Sequence, residues 1–162
     1  MSRPLVIAHR GASGERPENT ASAFERAIEL DADMIETDLH VSRDGVVVIH
    51  HDASLERLGD PGEIRDRSAS EMAALNAAPG GSAPERMPTL LDLLEGFGSR
   101  MDFNLELKVG LNAPYDGLEE RVFAEVEARG LLPRMLFSSF DDGVLARLRA
   151  VSSAARIAVL VS

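Results

Sequence analysis

The chain has 162 residues, a formal net charge of −10, 44% hydrophobic and 27% charged residues, and no cysteine. Such values suit one globular domain with a real core, argue against nucleic acid or an anionic membrane surface as the main partner, and exclude disulfides. The apolar run after Met1, residues 5–8, is too short for the core of a signal peptide, and no stretch approaches the ~20 apolar residues of a membrane span. A cytoplasmic protein without stable membrane insertion is expected.

Residues 5–8, Leu-Val-Ile-Ala, lie between Pro4 and a polar loop, the pattern of a buried parallel strand. The loop over 11–17 contains Gly11, Gly14 and Pro17, and Asn19 or Thr20 can cap the helix that follows. That helix sets Ala21, Phe24, Ala27 and Ile28 on one face and should end near Leu30 or Asp31. A second strand is expected over 33–39. On it Met34, Glu36, Asp38 and His40 share one face, while Ile35, Thr37 and Leu39 share the other. After a turn at 42–45, residues 46–49 read as a third buried strand running out at His50, His51 and Asp52. Between 53 and 88 the pattern dissolves among glycines and prolines, with one short helix near 70–76. This stretch is expected to be a small insertion beyond a strand end.

Thr89, with Asp92 three residues on, opens a helix in the manner of a capping box. A fourth strand over 101–108 alternates Phe103, Leu105 and Leu107 with Asp102, Asn104, Glu106 and Lys108. A helix over 116–129, a strand over 135–139, a helix from Asp141 and a sixth strand over 156–161 complete the chain. Alternating strands and helices predict an α/β fold, a parallel sheet with helical crossovers. An open doubly wound sheet would carry a glycine-rich fingerprint after the first strand, which Gly11 and Gly14 do not make. Acids facing inward and aliphatics outward fit a (β/α)8 TIM-type barrel instead. Because such barrels need about 250 residues, residues 1–162 read as a single barrel domain truncated after about six strands. The remainder would come from a C-terminal barrel segment or from a partner, for instance a second copy in a homo-oligomer.

Glu36 and Asp38 stand two apart on one strand, so their carboxylates point the same way; with Glu106 they offer hard oxygen donors suited to one divalent cation, Mg²⁺ or Ca²⁺. The plainer alternative is a set of acids in ion pairs at the barrel mouth. His9 and His51 each end an apolar run, and at the same end of neighbouring parallel strands they could act as an acid–base pair. Arg10 and Lys108 supply positive charge suited to a phosphate oxygen. Asp52 could orient an imidazole or cap the next turn. His40 is expected to be solvated in a loop, and His50, opposite His51, to be structural.

His9-Arg10-Gly11, Pro17-Glu18-Asn19-Thr20, Glu36-Thr37-Asp38, Asp44-Gly45, His51-Asp52 and Glu106-Leu107-Lys108 stand in the order and approximate spacing of the glycerophosphodiester phosphodiesterase family, and the chain resembles it over its whole length. Ser138-Ser139-Phe140 also looks like that family's fifth-strand end. The resemblance implies a TIM-barrel enzyme cleaving a small glycerophosphodiester to glycerol 3-phosphate and an alcohol. It implies that Glu36, Asp38 and Glu106 hold the metal, that Arg10 and Lys108 contact phosphate, and that His9 and His51 are the acid–base pair. Two other readings remain: a non-catalytic barrel remnant that binds a metal or a partner, and a lysophospholipase D-type phosphodiesterase, which a large apolar patch beside the site would favour.

Overall fold

The computed structural model describes residues 3–161. Its strands are, in chain order, β1 (Ile7–His9), β2 (Met34–Val41), β3 (Val47–Ile49), β4 (Asp102–Leu107), β5 (Met135–Ser139) and β6 (Ile157–Val159). Its α-helices are α1 (Ala21–Glu29), α2 (Ala69–Ala73), α3 (Leu90–Phe97), α4 (Leu118–Ala128) and α5 (Asp142–Val151). The parallel wall runs β1-β2-β4-β5-β6, with β3 paired to β2 off that path.

Local chemistry sets the helix starts. The Thr20 side chain accepts from the Ala23 amide, Thr89 and Asp92 form a reciprocal capping box, and the Asp141 side chain accepts from the Val144 amide. Asn19 does not cap α1; it sits at φ +58° and turns its side chain inward. Ile35, Leu39, Phe103, Leu105 and Phe137 point out of the wall and pack, fully buried, against Phe24, Leu93, Val122, Val126 and Leu148 of the helices. Each such side chain contributes roughly 1.5–3 kcal/mol on leaving water, and this layer locks the parallel register. That register sets His9 beside Glu36, and Asp38 beside Glu106. The fold is that of a TIM-type barrel wall, with the polar face of β2 and β4 turned to the inside.

Two expectations need correction. Residues 5–8 are not buried: Leu5, Val6 and Ile7 are 67%, 56% and 46% exposed. Only β2 pairs with β1 among the described residues, so one edge of that strand has no neighbour to cover it. The third strand is not a member of the parallel wall either. It folds back antiparallel on β2, pairing Leu39 with Ile49 and Val41 with Val47. Asp44 and Gly45 close this hairpin, Gly45 at φ +83°, and a hairpin leaves no room for a helical crossover. Residues 53–88 contain two single turns of 3₁₀ helix and α2, packed on a small apolar cluster of Val48, Leu55, Ile64, Met72 and Met87. No helix among the described residues is long and apolar enough to cross a membrane.

Candidate active site

The site forms where β1, β2 and β4 end. After His9 the chain turns abruptly: Arg10 sits at φ +58° and Gly11 at φ +77°. A Cβ on Gly11 would stand 2.8 Å from backbone and side-chain atoms of Ala23, so only glycine lets the turn pack on α1. The turn aims the Arg10 amide at Glu36, donating to its backbone oxygen at 2.9 Å and to Oε2 at 3.0 Å.

Glu36, Asp38 and Glu106 are all buried, and each offers a carboxylate oxygen within 4.8 Å of the others. Asp38 is the most heavily tied. Its Oδ2 accepts from Asn19 Nδ2 at 2.8 Å and lies 3.5 Å from Arg10 Nε, while Oδ1 lies 2.9 Å from Lys108 Nζ. Lys108 also donates to Glu106 Oε1 at 2.6 Å. Glu36 Oε1 is buried with no hydrogen-bond partner among the described residues.

These environments pull the acids apart. Burial, with the charge of Asp38 beside it, pushes Glu36 up to about 8. Burial works against ionisation of Asp38 too, but Lys108 and the Asn19 amide hold it below the usual carboxylate range. Burial raises Glu106 despite the ammonium of Lys108. Lys108 is itself half-buried, which disfavours its charge, yet the two carboxylates facing it keep its ammonium more firmly protonated than usual. A buried carboxylate oxygen without a partner, in a cluster of hard oxygen donors, fits a divalent cation held by Glu36, Asp38 and Glu106.

Both histidines reach this end of the sheet by different routes. His9 is the last residue of β1, with Nε2 3.7 Å from Glu36 Oε2; burial and the neighbouring Arg10 lower its pKa. His51 comes from the hairpin, not from a neighbouring parallel strand as the sequence pattern suggested. Because β2 runs on past the wall and β3 returns along it, the His50 amide bonds the Asp38 oxygen and His51 arrives at the level of Asp38. Its Nδ1 is 2.7 Å from Asp52 Oδ1. A carboxylate only accepts, so Nδ1 carries a hydrogen, and in the neutral ring Nε2 then keeps its lone pair. Asp52 therefore orients the imidazole.

His40 departs from expectation. It is buried, with Nδ1 2.8 Å from the Tyr115 hydroxyl and Nε2 3.2 Å from the His51 carbonyl oxygen. β2 extends to Val41, and Tyr115 from the β4–α4 connection closes over the ring. Burial pushes its pKa down to about 3. His50 is also buried, its Nε2 without a partner among the described residues, and burial lowers its pKa. Beside the carboxylates opens a cleft of about 530 Å³ whose lining includes His51, Glu106 and Lys108 together with apolar Val109, Leu111 and Phe140. Sequence reasoning missed Asn19 as a partner of Asp38 and Tyr115 as a partner of His40. An asparagine at a position needing positive φ was the one available signal for the first.

A carboxylate cluster flanked by two imidazoles at the C-terminal end of a TIM-type wall combines oxygen donors suited to a divalent cation with groups able to move protons. The family model described as "Glycerophosphoryl diester phosphodiesterase family" matches residues 9–162, and the chain belongs to that family. A glycerophosphodiester phosphodiesterase of Caldanaerobacter subterraneus is 36% identical over 164 residues, covering 98% of this chain and 67% of the relative. The crystal structure of a glycerophosphodiester phosphodiesterase from Agrobacterium tumefaciens superimposes with a TM-score of 0.85 at 28% identity, covering 96% of this chain and 66% of that one. An Oleispira antarctica phosphodiesterase, solved with the product sn-glycerol-3-phosphate, has a TM-score of 0.77 at 34% identity, covering 98% and 66%. The chain thus spans about two thirds of the length of these relatives.

Proposed function

We propose that the chain carries the catalytic centre for hydrolysis of glycerophosphodiesters to glycerol 3-phosphate and an alcohol, with Glu36, Asp38 and Glu106 holding one Mg²⁺ or Ca²⁺. The observation that carries this reading is the buried three-carboxylate cluster with an unpartnered Glu36 oxygen beside His9 and the Asp52-oriented His51. When bound, the cation neutralises phosphate charge and stabilises what develops in the transition state. Arg10 and Lys108 hold phosphate oxygens by charge-assisted hydrogen bonds. His51, through Nε2 of its neutral ring, takes the proton of the nucleophile, either water or the substrate's own neighbouring hydroxyl with water then opening the cyclic phosphate, and His9 returns one to the departing alkoxide. Residues 1–162 act as a single barrel domain that is incomplete at its C-terminal end, and residues 53–88 as an insertion that carries side chains to the mouth.

The test is glycerol 3-phosphate release from glycerophosphocholine with Mg²⁺ or Ca²⁺, with and without EDTA, in wild type, Glu36→Ala, His9→Ala and His51→Ala. Each histidine replacement should cut turnover at least ~10²-fold, as losing a positioned acid or base does. Turnover that ignores EDTA, or near-wild-type rates in the variants, would remove the assignment.

The apolar wall of Val109, Leu111 and Phe140, at 37%, 61% and 56% exposure, favours a second reading in which the substrate carries an acyl chain. Choline release from lysophosphatidylcholine, run beside the first assay, decides between them.

A further inference from the structure

Arg10, Glu18, Arg57, Asp52 and His51 form an unbroken polar chain around the mouth, with Arg57 at its middle. Arg57 Nη1 lies 3.2 Å from Glu18 Oε1 and 3.2 Å from Asp52 Oδ2. Glu18 uses its other oxygen, Oε2, to accept from Arg10 Nη1 at 3.0 Å. Asp52 uses Oδ1 for His51 Nδ1 at 2.7 Å. One guanidinium thus holds two carboxylates, each of which grips a different residue of the site.

We propose that Arg57 is a positioning residue: it locks Asp52 on His51 and Glu18 on Arg10, so that the imidazole and the phosphate-binding guanidinium keep a fixed separation across the mouth. The roles of His51 and Arg10 in this statement rest on the proposed function; the linkage itself does not.

Three physical points support it. Glu18 and Asp52 share a single nitrogen, so without Arg57 two like charges would stand close together with no counter-ion between them. Each carboxylate would also have one oxygen free, and its grip on Arg10 or His51 would become one choice of rotamer among several. Finally, the Arg57 side chain is 58% exposed. Exposed ion pairs contribute only about 0–1 kcal/mol to folding, so stability alone is a poor account of this arrangement. Arg57 is presented by the 3₁₀ turn Glu56–Leu58, which Leu55 roots, fully buried, in the apolar cluster of the 53–88 segment. The segment thereby spans the mouth from the His51 side to the Arg10 side.

The experiment compares wild type, Arg57→Ala and Arg57→Lys by three readouts: kinetics, thermal midpoint, and the His51 Nδ1–H proton resonance in ¹H–¹⁵N spectra. Removing a partner that orients a metal-ligating side chain typically costs 10- to 100-fold, and the same scale applies to a side chain that orients His51 and Arg10. Arg57→Ala should therefore lose roughly that much kcat/KM, through both a lower kcat and a higher KM, and Arg57→Lys should recover most of it. The midpoint should move by no more than about 3 °C, as suits an exposed pair, and the Nδ1–H resonance should weaken or shift in Arg57→Ala alone. Unchanged kinetics with an unchanged resonance would overturn the proposal, as would a kinetic loss that merely follows a collapse in midpoint. If the wild type releases no glycerol 3-phosphate, the proposed function falls, and the resonance comparison alone still decides for or against the Arg57 linkage.

Discussion

Lys108 and Asp38 face each other with Nζ 2.9 Å from Oδ1, inside the carboxylate cluster rather than at its rim. The same ammonium bonds Glu106, so two of the three acids share one cation, while Glu36 makes no contact with that ammonium among the described residues and keeps Oε1 unpartnered there. Lys108→Met should leave two buried carboxylates without their counter-ion and destabilise the cation-free protein by about 3 kcal/mol, as breaking a buried pair does. Added Mg²⁺ or Ca²⁺ should then raise the thermal midpoint more in this variant than in wild type, while turnover falls. A smaller rise in the variant would show that Lys108 does not compete with the cation for these acids.

The raised pKa of Glu36 sets a pH dependence. The folded carboxyl ionises near 8 and the unfolded one near 4.5. Between these values the folded state binds the extra proton, so stability contributed by protonated Glu36 is complete below 4.5 and lost as pH climbs to about 8. In EDTA, urea unfolding should show stability decreasing over that window by up to about 1.4 kcal/mol per pH unit, and Glu36→Gln should flatten the curve. Cation affinity should run the other way, rising with pH until about 8 as the displaced proton becomes easier to remove.

His40 predicts the opposite slope. It is buried neutral, with its pKa lowered from 6.5 to about 3. As pH falls below 6.5 the unfolded ring gains a proton that the folded ring refuses, so stability drops progressively down to about 3. His40→Gln should remove this acid-side loss. Tyr115→Phe, which deletes the hydroxyl bonded to Nδ1, should cost about 1 kcal/mol. Chemical denaturation at pH 4 and pH 7 measures both.

Gly11→Ala tests the first turn. The left-handed φ and the 2.8 Å approach to Ala23 together should cost more than about 1 kcal/mol. The turn also aims the Arg10 amide at Glu36, so cation-dependent stabilisation should weaken along with the midpoint. A neutral result would mean that the turn can relax without disturbing the carboxylates.

Period-two alternation on single strands was enough to find Glu36, Asp38 and Glu106 and to turn them inward, because a strand's two faces are written directly into its residues. Helix starts at Thr89 and Asp141 were legible for the same reason, since a cap acts over three residues. Pairing partners are not local. Val46-Val47-Val48-Ile49 reads alike whether it joins the parallel wall or folds back on β2, and only the hairpin explains how His51 reaches Asp38. The exposure of Leu5, Val6 and Ile7 depends on which strand stands beside β1, and the burial of His40 on Tyr115, 75 residues away. By itself, then, the sequence determined which side chains the strands present and the chemistry they could perform. The tertiary structure decided which of them meet, because register, hairpin reversal and contacts such as Asn19–Asp38 and Arg57–Asp52 arise only when distant segments pack together.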